Sequence, residues 1–361
     1  AMYAENVGPV AVTYDGQVQY NVRSVVNAQV TDRLKLGSNI SFNHFKLSQS
    51  SATLSGSSFT NDPAIYPTIN PYGQWVSNFN YSGGARQPLA NLVDGGRNFE
   101  ERDRVNLTFD ATYKITDHLD FKANASFLIN RYDKTRYTLE VPIYSFDGLK
   151  LVNTLNNGNS TFKSDFGTGR KDTYGAYFNY KNTFKEDHNV AITTGINTED
   201  SRNTTVFGER IGFEDQGVYN ITSASEEYQT NGGSDWHEGL YGILGNVTYD
   251  YQNKYLANVT FRRDGSSRFA PEDRWDNFVS ASLGWVITKE KFMENVDFLN
   301  FLKLRASYGE SANGLTGIGR YDYISTIATS TVLFGDSPTE QTAAYLAALT
   351  SRERTWERVE Q

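Results

Sequence analysis

The chain has 361 residues, with 34 Lys and Arg against 42 Asp and Glu, a net charge of −8 and no cysteine. The dispersed basic residues exclude a nucleic-acid surface, and no apolar run approaches the roughly 18 residues of a transmembrane helix. A content of 23 Tyr, 22 Phe and 30 Gly at a mean hydropathy of −0.54 instead fits strands that are apolar on one face only.

Successive strand residues point to opposite faces, so period-two alternation identifies half-buried strands. The first such unit runs from Val22 to Val30, turns at Thr31-Asp32-Arg33 and returns through Leu34 to Phe42. A long loop from Lys46 to Arg102 follows, rich in Ser, Asn and Gly. In the next strand Val105, Leu107, Phe109, Ala111, Tyr113 and Ile115 share one face, with Asn106, Thr108, Asp110, Thr112 and Lys114 on the other. Across Thr116-Asp117-His118 the alternation resumes with Leu119, Phe121, Ala123, Ala125, Phe127 and Ile129.

The stretch from Lys134 to Lys171 has the weakest periodicity. Tyr174 to Phe184 then pairs with Val190 to Ile196 across residues 185–188. Tyr241 to Tyr251 turns at Gln252-Asn253-Lys254 into Tyr255, Ala257, Val259 and Phe261, and Val279 to Ile287 connects to Leu302 to Tyr308. Thr342 to Leu349 reads as a short helical stretch, and the last residues do not read as a barrel-closing strand.

Short turns therefore alternate with long loops. A soluble sandwich has no reason to segregate them, whereas an outer-membrane barrel has short periplasmic turns and long extracellular loops. The chain supplies roughly eleven to thirteen such strands. The expected fold is all-β: one antiparallel transmembrane β-barrel segment spanning residues 1–361.

Three motifs carry a family resemblance. FRRDGSSRFAPEDRW (Phe261 to Trp275), SASLGWVITKEKFM (Ser280 to Met293) and LKLRASYGESAN (Leu302 to Asn313) follow one another in the order and spacing of the SusC-like branch of TonB-dependent outer-membrane transporters. Tyr20 to Phe42 is similar to an earlier hairpin of that family, and the likeness ends at TWERVEQ (Thr355 to Gln361).

The resemblance implies a barrel of about 22 strands, of which this chain supplies roughly half, in a Gram-negative outer membrane. It implies proton-motive-force-coupled import of a bulky nutrient, glycan or oligopeptide, through the TonB complex, and a SusD-like surface lipoprotein as a lid. The family's plug and TonB-contacting segment are not recognisable here, nor is a signal peptide. The expectation is a larger protein, because an open sheet edge is costly in lipid.

Several side chains attract roles. Tyr249, Tyr251 and Tyr255 cluster at one periplasmic turn, where rings with an apolar body and a polar tip suit the membrane interface, in contact with outer-membrane lipid. Tyr66, Tyr72, Trp75, Phe79 and Tyr81 in the first long loop, with Trp236 before a rising strand, are candidates for stacking on ligand or lid. Equally, such rings could form the loop's own small core.

Residues 262–276 read as an outer loop in which Arg263, Asp264, Arg268, Arg274 and Trp275 act structurally, its charges neutralising one another. Arg268 stands where a calcium loop would need an oxygen ligand. The four histidines, His44, His118, His188 and His237, are scattered without metal-ligand spacing, and Gly314, Gly317 and Gly319 lack the P-loop lysine. The sequence thus implies no catalytic residue, no metal and no cofactor. A non-transporting barrel, or a soluble β-rich carbohydrate-binding protein, is the alternative reading.

Overall fold

The computed structural model describes residues 2–7, 13, 15–52, 67–76, 87–158, 160–213, 217–296, 298–313, 317–336, 339–347 and 352–361. Its strands in chain order are β1 (Met2–Val7), β2 (Gly16–Gln29), β3 (Leu34–Ser50), β4 (Gly96–Thr116), β5 (Leu119–Thr138), β6 (Val141–Tyr144), β7 (Leu151–Leu155) and β8 (Thr161–Phe184). They continue with β9 (His188–Ile211), β10 (Gln229–Tyr251), β11 (Tyr255–Ser266), β12 (Trp275–Val286), β13 (Lys303–Asn313), β14 (Ile327–Phe334), β15 (Thr339–Leu346) and β16 (Glu357–Glu360). A short α-helix, α1 (Pro88–Asp94), begins at a proline, which suits a first helical turn because its missing N–H would be unpaired there.

Twelve strands form one sheet in the order β1-β2-β3-β4-β5-β8-β9-β10-β11-β12-β13-β16, while β6–β7 and β14–β15 are separate hairpins. Every pairing between these strands is antiparallel. The tight turns at residues 30–33, 117–118, 185–187 and 252–254 lie at one end, and the long connections 51–95, 139–160, 212–228 and 267–274 at the other. Two of those tight turns use the left-handed region at consecutive residues, Lys185 (φ 48°) with Glu186 (φ 67°) and Gln252 (φ 53°) with Asn253 (φ 50°). That backbone matches the right-handed twist of the strands it joins.

The register sorts side chains by chemistry. Val247 lies opposite Ile192 and Val259, and Val259 opposite Ala281. This face carries Phe178, Val247, Val259 and Leu283 at 44% exposure or more, with no packed layer over it. The opposite face is a ladder of amides and hydroxyls: Asn246 Nδ2 donates to Thr260 Oγ1 at 2.7 Å, Asn258 Nδ2 to Thr248 Oγ1 at 2.9 Å, and Thr193 Oγ1 to Asn179 Oδ1 at 3.0 Å. An apolar outer face and a polar inner face are the membrane and lumen sides of a barrel wall.

β8 and β9 have 24 residues each, against the roughly 9–11 that cross a bilayer, so they rise far beyond the apolar band. Most fully buried apolar residues lie in the connections at that tall end: Ala90, Val141 and Ile143 form one cluster, and Val76, Phe269 and Ala270 are buried there too. The core of this molecule is therefore in its loops, and the sheet itself is two-faced.

The structure corrects five sequence readings. The first long connection is residues 51–95, because β3 and β4 pair up to Ser50 and Arg97, and the outer loop after β11 is only residues 267–274. Arg263, Asp264 and Trp275 are strand residues, held by the pairs Arg263–Asn277 and Gly265–Trp275. Trp236 lies within β10, opposite Asn203. Thr339–Leu346 is strand, not helix, since pairing with β14 overrides the local preference of Ala343 and Ala344. The last residues also form a strand: β16 pairs with β13 through Glu310–Glu360 to Asn313–Glu357.

Candidate functional site in the outer vestibule

The tall end of β10 presents Trp236 and Glu238 to the lumen side. Glu238 is 8% exposed, and both of its oxygens are taken. Arg268 grips them from Nε at 2.7 Å and Nη2 at 3.1 Å, and Arg320 Nε donates at 2.8 Å. Burial pushes the Glu238 carboxyl upward, but the two guanidiniums outweigh it and hold the group below the ordinary carboxylate range. Arg268 Nη1 also donates to the Ile318 carbonyl at 2.7 Å, tying two connections to one strand.

The Arg320 guanidinium lies 3.5 Å from the centroid of the half-buried Trp236 ring. Tyr321 completes the attachment: its hydroxyl accepts from His237 N at 2.8 Å and donates to His237 O at 3.0 Å. Beside it Phe269 packs 5.2 Å from Trp356, whose Nε1 donates to the Arg274 carbonyl at 3.1 Å. Arg263 stacks on Trp275 at 5.5 Å, while Asp264 is engaged by Arg262 at 2.6 Å. The structure thus brings Trp236 to Arg268 through shared partners, and places Arg263 with Trp275 on the other face of the sheet.

Of the first-loop aromatics, Tyr66, Phe79 and Tyr81 lie outside the described residues. Trp75 packs on the cluster of Ala90, Val141 and Ile143 and donates from Nε1 to Asp94 at 2.6 Å. Its ring belongs to the loop's own core. Tyr72 is 71% exposed and is the freer surface of the pair.

At the short-turn end, Tyr251 and Tyr255 stack with centroids 6.2 Å apart, and His188 Nδ1 lies 2.8 Å from the Tyr249 hydroxyl. Glu290, in the connection after β12, gathers three donors: Tyr255 Oη at 2.5 Å, Trp285 Nε1 at 3.0 Å and Lys254 Nζ at 3.1 Å. These bonds, that from Tyr255 foremost, hold the Glu290 carboxyl below its ordinary range. Reading only the tyrosines misses Glu290 and Trp285, since neither is adjacent in sequence.

One lumenal feature has no signal in any single segment. Phe45, Arg102, Tyr132 and Gly167 lie side by side across β3, β4, β5 and β8, at the lip of an open recess of about 850 Å³. Among the described residues no group of three or more His, Asp or Glu is arranged to hold a metal ion.

No family model matches the chain. It is 34% identical over 142 residues to TonB-dependent receptor P39 of Formosa agariphila, covering 39% of this chain and 14% of that protein. Over 345 residues, 88% of this chain, it is 24% identical to TonB-dependent receptor P3 of the same organism. It is 44% identical over 70 residues to TonB-dependent receptor SusC of Bacteroides thetaiotaomicron, 19% of this chain. The chain spans less than a third of the length of P3 and smaller shares of P39 and SusC, at 31%, 14% and 7%.

In fold it is similar to the RagAB peptide transporter, with a TM-score of 0.77 at 16% identity over 99% of this chain and 39% of the other. The "open-open" state of the RagAB peptide importer matches equally, at 0.77 over 96% of this chain. Antiparallel wall, segregated turns and two-faced chemistry make the chain part of an outer-membrane barrel wall, similar in sequence to the TonB-dependent receptors P3 and SusC and in fold to the RagAB peptide transporter.

Proposed function

We propose that the protein imports a bulky nutrient across the outer membrane, energised through TonB, with this chain forming part of the barrel wall and of the outer vestibule. The observation that carries the reading is the tall end of the sheet. Strands of 23 and 24 residues rise past the apolar band, and their connections fold into packed structure, with Phe269 and Ile143 fully buried. A simple anchoring barrel needs no such superstructure, whereas capture of a large solute needs a shaped antechamber.

The outer membrane has no nucleotide supply, so energy for uptake against a gradient comes from the inner-membrane proton-motive force, delivered by the TonB complex. A SusD-like surface lipoprotein is the proposed lid over the vestibule. The peptide transport named for RagAB, and the family's glycan uptake, make oligopeptide and glycan the two substrate classes.

The test is uptake in cells that produce the protein, with and without a protonophore and with and without TonB. Accumulation of labelled nutrient that collapses under either treatment supports the reading. Accumulation indifferent to both makes the barrel a passive pore.

A further inference from the structure

The lumenal recess of β3, β4, β5 and β8 begins where the apolar band of the outer face ends, at Phe42, Val105 and Ile129, which are paired with one another across the strands. Its wall follows from the register. Arg102 sits between Phe45 and Tyr132, and Arg104 between Asn43 and Asn130. Lys134 stands opposite Glu100 and Asp165, and Lys163 comes one step higher on β8. Gly167 makes room for aromatic surface: a Cβ there would stand 2.1 Å from Tyr132 Cε1, so the ring lies across bare backbone.

The charges do not balance. Four cations, Arg102, Arg104, Lys134 and Lys163, line the recess with two carboxylates, Glu100 and Asp165, while Asp103 and Arg131 stand opposite each other at its lip. Arg102 is bound to Glu100 and lies 5.8 Å over Phe45. Lys163 is 3.9 Å from Asp165, 4.0 Å from Glu209 and 4.5 Å over the Phe207 ring. Arg104 and Lys134 have no ion-pair partner among the described residues.

Two uncommitted cations on a rigid sheet, flanked by the partly exposed rings of Phe45 and Tyr132, match an anionic group attached to a flat or apolar body. Because the donors are on paired strands and not on loops, their spacing is set before any ligand arrives, which lowers the ordering cost of binding. We infer that this recess binds a carboxylate-bearing segment of the imported nutrient, Arg104 and Lys134 taking the carboxylate and Tyr132 and Phe45 the body beside it. The inference rests on the import reading and adds a substrate chemistry to it.

The test uses the full-length protein in lipid nanodiscs at 150 mM salt, with two probe pairs. One is a glutamate-containing pentapeptide and its fully amidated counterpart; the other is trigalacturonate and its methyl ester. At least one acid is expected to bind about tenfold or more tightly than its neutral twin, the ratio of a charge-assisted contact. The double variant Arg104→Gln, Lys134→Gln should bring that ratio close to one. Which acid wins identifies the source of the carboxylate.

Equal binding of acid and neutral forms, binding of neither acid, or a preference that survives the double variant would overturn the inference. Energised uptake of a neutral nutrient with no charge preference would do so while leaving import standing. Charge-selective binding without TonB-dependent uptake would instead sink import and leave the recess as a binding site.

Discussion

The Arg320 guanidinium lies 3.5 Å from the centroid of the Trp236 ring while its Nε donates to Glu238 at 2.8 Å. The stack occupies one face of an indole that, in sequence, is a candidate for stacking on ligand. Trp236 helps to hold residues 317–324 onto β10, an attachment anchored by one carboxylate shared by two arginines and by the Tyr321 bonds to the His237 backbone.

Replacing that carboxylate, in Glu238→Gln, leaves Arg268 and Arg320 facing a neutral amide in a largely buried site. The expected cost is about 3 kcal/mol, confined to the vestibule because the β-ladders below are untouched. Limited proteolysis of the membrane-embedded protein should cut within residues 267–274 and 317–324 first. The same attachment carries a pH dependence. Since the folded Glu238 carboxyl lies below its unfolded value, the stabilisation is complete above the ordinary carboxylate pKa of about 4.3. It is lost as pH falls through the lower folded value. Amide exchange in residues 266–274, corrected for intrinsic rate, should accelerate only at strongly acid pH.

The turn at Lys185 and Glu186 places two ordinary residues in the left-handed region, at φ 48° and 67°. The substitution Lys185→Asn with Glu186→Gly supplies the residues this turn prefers and should stabilise the wall by about 1 kcal/mol. The check is the midpoint of guanidinium unfolding in lipid.

Val259 and Asn258 are neighbours on β11 with opposite surroundings, lipid and lumen. Val259→Arg should cost about 2–4 kcal/mol, as for a cation on the lipid face near mid-membrane. Asn258→Arg should cost much less, losing chiefly its bond to Thr248 Oγ1. Equilibrium unfolding of both variants in the same vesicles gives the comparison, and equal costs would contradict the assignment of faces.

The wall was legible in sequence because period-two alternation is local: Val247, Tyr249 and Tyr251 declare their face without reference to any partner. The hairpin turns at 31–33, 117–118 and 252–254 were legible for the same reason. The stretch from 134 to 171 was not, since β5 and β8 continue above the membrane, where charged and aromatic residues share a face and the alternation fades. Thr342 and its neighbours misled because alanines favour helix until a second strand is there to pair.

The site was less legible than the wall. Glu238 and Arg320 are 82 residues apart, and the recess gathers residues from four strands, so its composition exists only once register is set. Trp75 could be read either way until Asp94 and Val141 were seen against it.

The central claim is that the face bearing Val247 and Val259 meets lipid while that bearing Asn246 and Asn258 lines an aqueous lumen. Because the chain has no cysteine, single cysteines at residues 243–251 and 255–261 can each carry a nitroxide. Their accessibility to oxygen and to a water-soluble nickel chelate is then measured in native membranes. Strict alternation is expected, with odd positions open to oxygen and shielded from nickel, and even positions the reverse. Odd positions shielded from both reagents would mean a face packed against protein, and would contradict a membrane wall.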